Sequence, residues 1–331
     1  MSNYVFGPVP SRRLGRSLGI DLVPYKTCTY DCIYCQLGRT TCKTVARKEW
    51  VPLEAVLDEL SSKLSVQPDY VTLSGSGEPT LFSRIDELIE RVKSMTHVPV
   101  AVLTNGSLLW DREVRRQLSR ADLVIPSLDA GDESLFRLVN RPHETISFDR
   151  MLAGLVAFRR EYTGRLWLEV FVVAAFTAAE PALASLRKCV AMIRPDRVQL
   201  NTVTRPAVED YAGPVSAERL AAIAKTFDPP AETIGDFPAI ATPSGAVGQR
   251  EDILALVRRR PCSLDDVAAG LGMHRNEVLK HLEELAREGL VQVATVDRKH
   301  HYRASTPPEG LRLDPGPPPG GPDRAPKRSP R

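Results

Sequence analysis

A chain of 331 residues has room for about two domains, and 44 basic against 41 acidic side chains leave it at only +3. That balance excludes a polybasic nucleic-acid arm or an acidic tail as a description of the whole. The charge is uneven, because residues 1–50 hold eight basic and three acidic residues. Six cysteines are too few for a disulfide scaffold at this length. Three of them crowd into residues 28–35, which points to metal. The N-terminus lacks the apolar core of a secretion signal, and no stretch approaches the ~18 apolar residues of a membrane span. A cytoplasmic protein with no membrane partner is expected.

In chain order, short β-branched or apolar runs alternate with longer segments of helical spacing. Strands are expected at Ser17–Val23, Asp69–Ser74, Val98–Thr104, Ala121–Ser127, Leu166–Val173 and Arg197–Asn201. Helices are expected at Leu53–Leu64, Leu81–Met95, Asp111–Leu118, Phe148–Tyr162, Pro181–Ile193 and Ala217–Phe227. In the first helix Leu53, Val56, Leu57, Leu60 and Leu64 form one apolar stripe. Six strand–helix units in succession imply an α/β fold with a parallel sheet and right-handed crossovers. An open doubly wound sheet and a partial βα barrel both satisfy this pattern.

The expected domain boundaries follow composition. Residues 1–235 form the strand–helix domain, and 236–248, bearing Pro238, Pro243 and Gly245, form a linker. Residues 249–304 read as a small winged helix-turn-helix. Glu251–Arg259 is its first helix, and Ser263 caps a second that ends at Gly270–Gly272. Arg275–Glu288 is the third, closed by Gly289, and a hairpin follows across Asp297–Lys299. As a nucleic-acid reader this unit would present His274, Arg275, Asn276 and Lys280, with Arg298 and Lys299 on the wing. Its near-neutral charge suits a protein partner equally well, so RNA, DNA or a protein is expected there. Residues 305–331 are rich in Pro and Gly and are expected to be disordered.

The densest chemical signal is Cys28-Thr-Tyr-Asp-Cys32-Ile-Tyr-Cys35, spaced C-x3-C-x2-C after the first expected strand. Three thiolates on one loop can hold an iron–sulfur cubane with one iron left open, since a closed cluster takes four cysteines. A structural zinc site completed from elsewhere is the other reading. The spacing, with aromatic Tyr34 before the last cysteine, resembles the signature of the radical S-adenosylmethionine (SAM) superfamily. Ser74-Gly75-Ser76-Gly77-Glu78-Pro79 resembles that superfamily's Gly-Gly-Glu-Pro loop, with Ser76 in place of the first glycine. Leu103-Thr104-Asn105-Gly106 and Ser127-Leu128-Asp129 end the third and fourth expected strands. Taken singly, each could instead be a helix cap or turn.

The resemblance covers about residues 1–210 and implies a partial (βα)6 barrel. It implies a [4Fe–4S] cluster on Cys28, Cys32 and Cys35, and SAM bound through Tyr34, Ser76, Gly77, Glu78, Pro79, Asn105, Ser127 and Asp129. The implied chemistry is reductive cleavage of SAM to a 5′-deoxyadenosyl radical. A one-electron reductant such as a flavodoxin or ferredoxin would feed the cluster. The opening from Phe6 to Ile20 resembles the branch containing the wyosine-base tRNA synthases, which places RNA among the expected substrates. Those enzymes hold a second cluster on earlier cysteines, and no cysteine precedes Cys28, so their reaction is not carried over. An iron–sulfur redox sensor that regulates transcription is the competing function. Cys42 is expected to be a free thiol, Cys189 and Cys262 packing residues. Arg12, Arg13 and Arg16 are expected to rim the site.

Overall fold

The computed structural model describes residues 4–234, 250–296 and 299–305. The expected linker at 236–248, Arg298 and almost all of the expected tail lie outside the described residues. The first part of the chain runs β1 (Val5–Ser11), β2 (Gly15–Ile20), β3 (Thr27–Cys28), β4 (Cys42–Lys43), α1 (Leu53–Lys63), β5 (Tyr70–Leu73), α2 (Ile85–Met95), β6 (Val100–Thr104), α3 (Arg112–Leu118) and β7 (Leu123–Pro126). It continues through α4 (Glu133–Val139), α5 (Phe148–Glu161), β8 (Arg165–Val172), α6 (Glu180–Ile193), β9 (Arg197–Thr202), α7 (Ala217–Ala224) and β10 (Glu232–Thr233). The C-terminal unit comprises α8 (Arg250–Arg259), β11 (Cys262–Ser263), α9 (Leu264–Leu271), α10 (Arg275–Arg287), β12 (Val291–Val296) and β13 (Lys299–Ala304).

One eight-stranded sheet runs in the order β1-β2-β5-β6-β7-β8-β9-β10. β1 is antiparallel to β2, and every other neighbouring pair is parallel. Each of the six expected strands is present, trimmed by one to three residues at some ends. Their apolar runs are buried because helices cover one face and the inward face closes on itself. On that inward face Leu14, from the β1–β2 turn, packs with Ala101, Leu123, Ile125 and Trp167. Arg13 of the same turn reaches Glu169 on β8 at 2.8 Å. A turn beside β2 that touches β6, β7 and β8 requires a concave sheet, while β1 and β10 remain unpaired with each other. The architecture is thus a partial barrel with its hollow facing the cluster loop.

The turn that fills this hollow has a local cause. Ser11 Oγ accepts from Leu14 N at 3.2 Å, and Asp69 accepts from Arg16 N at 2.7 Å. Gly15 takes a left-handed φ of +67°, and a Cβ there would collide with Asp69. Three elements depart from the sequence reading. β1 was not expected, because Gly7, Pro8 and Pro10 interrupt its pattern. The segment expected to be helical from Leu81 begins as a 3-10 turn, Pro79–Leu81, and α2 starts only at Ile85. Glu78 caps that turn by accepting from Thr80 N, which diverts the chain before the apolar stripe begins. α4, only seven residues long, was also missed.

In the C-terminal unit, three helices pack on an antiparallel sheet ordered β11-β13-β12. Ser263 and Asp266 form a reciprocal capping box on α9. The unit's core includes Ile253, Val257, Val267, Val278 and Leu282, and Val9 of β1 is part of the same cluster. The unit is therefore docked on the edge strand of the barrel. No helix among the described residues is long and apolar enough to cross a membrane.

Candidate functional site

The cysteine loop leaves β2 at the open end of the barrel. Lys26 turns it with a left-handed φ of +57°. Its N–H donates to Ser76 O at 2.8 Å, and its carbonyl accepts from Thr41 N and Cys42 N. The short β3–β4 pair then fixes the base of the loop. Asp31 accepts from Thr40 N at 2.7 Å across its neck.

Each of the three sulfurs has an amide or ammonium side chain aimed at it. Asn105 Nδ2 lies 3.6 Å from Cys28 Sγ, Asn140 Nδ2 3.5 Å from Cys32 Sγ, and Lys26 Nζ 3.0 Å from Cys35 Sγ. Burial pushes the Cys28 thiol up to about 11, with Glu78 adding to the shift, and raises Cys32 as well. Burial opposes the charge on Lys26, yet Cys35 and then Cys28 hold its ammonium above the ordinary range. Half-buried thiols with a cation and two amides aimed at them are suited to soft, positively charged iron, which makes them thiolates. Among the described residues no three His, Cys, Asp or Glu side chains converge on a single ion. Zinc needs all its thiolates about 2.3 Å from one centre. A cubane takes one thiolate on each of its irons, and three thiols on one loop with these donors beside them fit that requirement.

Around this loop the expected residues divide into two groups. Tyr34, Cys35, Ser76, Gly77 and Ser127 line one cavity of about 380 Å³ inside the barrel mouth. Cys28, Cys32, Glu78, Pro79, Asn105 and Asp129 are not among its lining residues. Asp129 is buried and accepts from Tyr34 OH, from Asn140 Nδ2 at 2.7 Å and from Phe171 N at 3.0 Å. Burial raises its carboxyl to about 6. Tyr34 in turn stacks on Phe171, with ring centroids 3.9 Å apart. Asp129 therefore anchors the last turn of the cysteine loop to β7 and β8.

Glu78 is 1% exposed. It accepts from Thr80 N and Oγ1, Thr104 Oγ1 and Asn105 N at 2.6–3.0 Å. No cation pairs with it among the described residues, and burial raises its carboxyl. Among the described residues its Oε2 takes only Asn105 N, so one acceptor site beside a buried carboxylate without a counter-ion suits an ammonium group. Gly77 has a plain structural role, because a Cβ there would collide with the Thr27 carbonyl. The Ser74–Pro79 loop and the cysteine loop are thus packed backbone to backbone.

The arginines of the first segment also separate. Arg12 and Arg13 line the cavity, whereas Arg16 turns outward to the Val66 carbonyl at 3.2 Å. Cys42 is paired in register with Thr27, one residue away from Cys28. Alternation along a strand puts its side chain on the opposite face from Cys28. Cys189 and Cys262 are buried in their respective cores. Sequence reasoning missed Lys26, Asn140, Glu169, Arg259 and Arg260. Lys26 was detectable from its place two residues before Cys28, but the others come from distant segments with no local signal.

Comparison with known proteins bears on this site. A sequence model described as "Radical SAM superfamily" matches residues 22–178. GTPase Obg of Brachyspira hyodysenteriae is 38% identical over 298 residues, covering 88% of this chain and 44% of that protein. The chain therefore spans less than half the length of that relative. The UPF0026 protein MJ1312 of Methanocaldococcus jannaschii is 38% identical over 227 residues, 67% of this chain and 70% of that one. A UPF0026 protein of Helicobacter pylori is 32% identical over 313 residues, covering 91% of this chain and 97% of its own length.

Proposed function

The chain belongs to the radical SAM superfamily, together with the UPF0026 proteins, and from that premise we propose that its substrate is held in the barrel-mouth cavity between Cys35 and the β1–β2 turn. It is a radical SAM enzyme, with a [4Fe–4S] cluster and SAM as cofactors. When bound, these supply an electron and a 5′-deoxyadenosyl radical for hydrogen abstraction. The rest of the work falls to the residues of the chain. Cys28, Cys32 and Cys35 would hold three irons, and Glu78 would take the methionine ammonium. Asn105, hydrogen-bonded near Cys28 and to Thr29 Oγ1 at 2.7 Å, keeps the two loops in register. Leu103 and Phe171 in the cavity wall exclude water from the radical.

One observation carries the reading: Cys35, Tyr34, Ser76 and Gly77 share a single cavity with the inner faces of the barrel strands. After anaerobic reconstitution and reduction with dithionite, the protein should release 5′-deoxyadenosine and methionine from SAM. No cleavage by fully loaded protein would sink the proposal. Lys26→Met should leave iron content intact and make the cluster harder to reduce. A lost charge-assisted bond to sulfur, worth ~1.5–3 kcal/mol, corresponds to a downward shift of about 65–130 mV for one electron. Redox titration monitored by electron paramagnetic resonance measures it, and an unchanged potential would remove Lys26 from that role.

For the electron donor, the exposed Arg39 and Lys43 beside the cysteine loop suit a small acidic carrier such as a flavodoxin or ferredoxin. The C-terminal unit keeps Arg275, Asn276 and Lys280 of α10 exposed. That is the face on which an RNA or DNA duplex, or an acidic protein, would lie. An RNA substrate would then have to deliver one nucleotide into the cavity beneath α8.

A further inference from the structure

The C-terminal unit forms part of the cavity. Arg259 and Arg260, at the end of α8, line it together with Arg12, Arg13 and Arg205. Five guanidiniums thus face a space whose own carboxylates are Asp21 and Glu169. Arg259 is taken by Asp21, and Arg13 by Glu169 at 2.8 Å. Arg205 spans Gln36 at 3.2 Å and Asp266 of α9 at 3.4 Å, which satisfies its two terminal nitrogens. Its Nε is buried without a partner, and the residue is 8% exposed. The guanidiniums of Arg12 and Arg260 make no hydrogen bond and no ion pair within 4 Å among the described residues, although Glu169 and Asp266 act on Arg12 through the field.

Three cationic groups with unspent donors therefore line one cavity that is partly open to solvent. Burial, then Arg205 and Arg13, hold the Arg12 guanidinium down to about 10. Burial, then Arg260, lowers Arg205. Like charges crowded together out of water are unfavourable unless an anion joins them. After each carboxylate has claimed one arginine, two positive charges remain. A phosphomonoester, with ≈ −1.5 to −2 charge and three acceptor oxygens, matches both that charge and the forked donors. A single carboxylate matches less of either.

We infer that Arg12, Arg205 and Arg260 form a phosphate subsite for a small phosphorylated substrate, closed over by the C-terminal unit. This deepens the function proposed above and rests on it. The small size follows from the clamp. Arg259–Asp21 and Arg205–Asp266 are buried ion pairs between the unit and the barrel, so a bulky polymer could reach the subsite only by breaking them.

The test uses full-length protein and pyrophosphate as the probe, followed by calorimetry with and without saturating SAM. Wild type should bind it, and Arg12→Gln and Arg260→Gln should each weaken binding about tenfold or more. SAM should leave that affinity unchanged. The inference falls if pyrophosphate does not bind, if both variants bind as wild type does, or if SAM displaces the probe, which would make the arginines a SAM-carboxylate site. It also falls if bulk RNA binds in an Arg12-dependent way while pyrophosphate does not. Failure of the same wild-type preparation to cleave SAM would sink the enzymatic reading and not the phosphate subsite, because probe binding is read without turnover.

Discussion

Alanine at Cys28, Cys32 or Cys35 should each reduce SAM cleavage to background, whereas Cys42→Ala should retain iron, sulfide and cleavage within about twofold. The asymmetry follows from position. The three sulfurs of the loop have Asn105, Asn140 and Lys26 aimed at them in turn. Cys42 sits in register with Thr27, on the face of its strand away from Cys28. Losing one thiolate leaves two ligands for a cluster that needs three protein attachments and an open iron. Cys42 is half-buried and makes no side-chain bond among the described residues, so its truncation should cost under about 0.5 kcal/mol. Iron and sulfide per chain, together with 5′-deoxyadenosine yield, measure both halves. Loss of iron from Cys42→Ala would make it a fourth ligand and close the site to SAM.

The cysteine spacing and the strand-end loops were legible because their chemistry is local. Alternation of buried strands with amphipathic helices made the parallel sheet equally readable, from Tyr70–Leu73 to Arg197–Thr202. What the sequence hid depends on partners far apart along the chain. Asn140 is 108 residues from the cysteine it touches, and Arg205 is 169 from Gln36. Asp129 illustrates a different limit. A strand-end carboxylate reads as a pocket residue, and only three-dimensional placement reveals that Tyr34, Asn140 and Phe171 already use its oxygens. β1 was obscured by its own glycine and prolines, although its outer face is where Val9 joins the core of the C-terminal unit. Reading that unit as an independent appendage missed its contribution to the cavity.

That contribution can be weighed at Asp21, whose alanine variant should lose about 3 kcal/mol of stability and also bind SAM more weakly. Asp21 is 1% exposed. It accepts from Ser76 N at 2.5 Å and Ser76 Oγ at 3.1 Å, and it pairs with Arg259. Burial raises its carboxyl, with Arg259 as the leading opposing influence. Removing one partner of a buried pair strands the other charge, at a cost of ~3–5 kcal/mol. Arg259 retains its position over the Phe6 ring, 4.4 Å from the centroid, which offsets part of that loss. Urea unfolding of full-length Asp21→Ala, Arg259→Ala and the double variant measures the coupling. The double variant should be less destabilised than the sum of the singles, since neither charge is then left alone. Simple additivity, or a loss under about 1 kcal/mol for Asp21→Ala, would detach the C-terminal unit from the Ser74–Pro79 loop energetically. With coupling present, the chain Arg259–Asp21–Ser76 means that whatever docks or displaces the C-terminal unit also acts on the Ser74–Pro79 loop, the proposed SAM site. Phosphate gathered by Arg260, the residue next to Arg259, would then favour the closed arrangement in which that loop is braced.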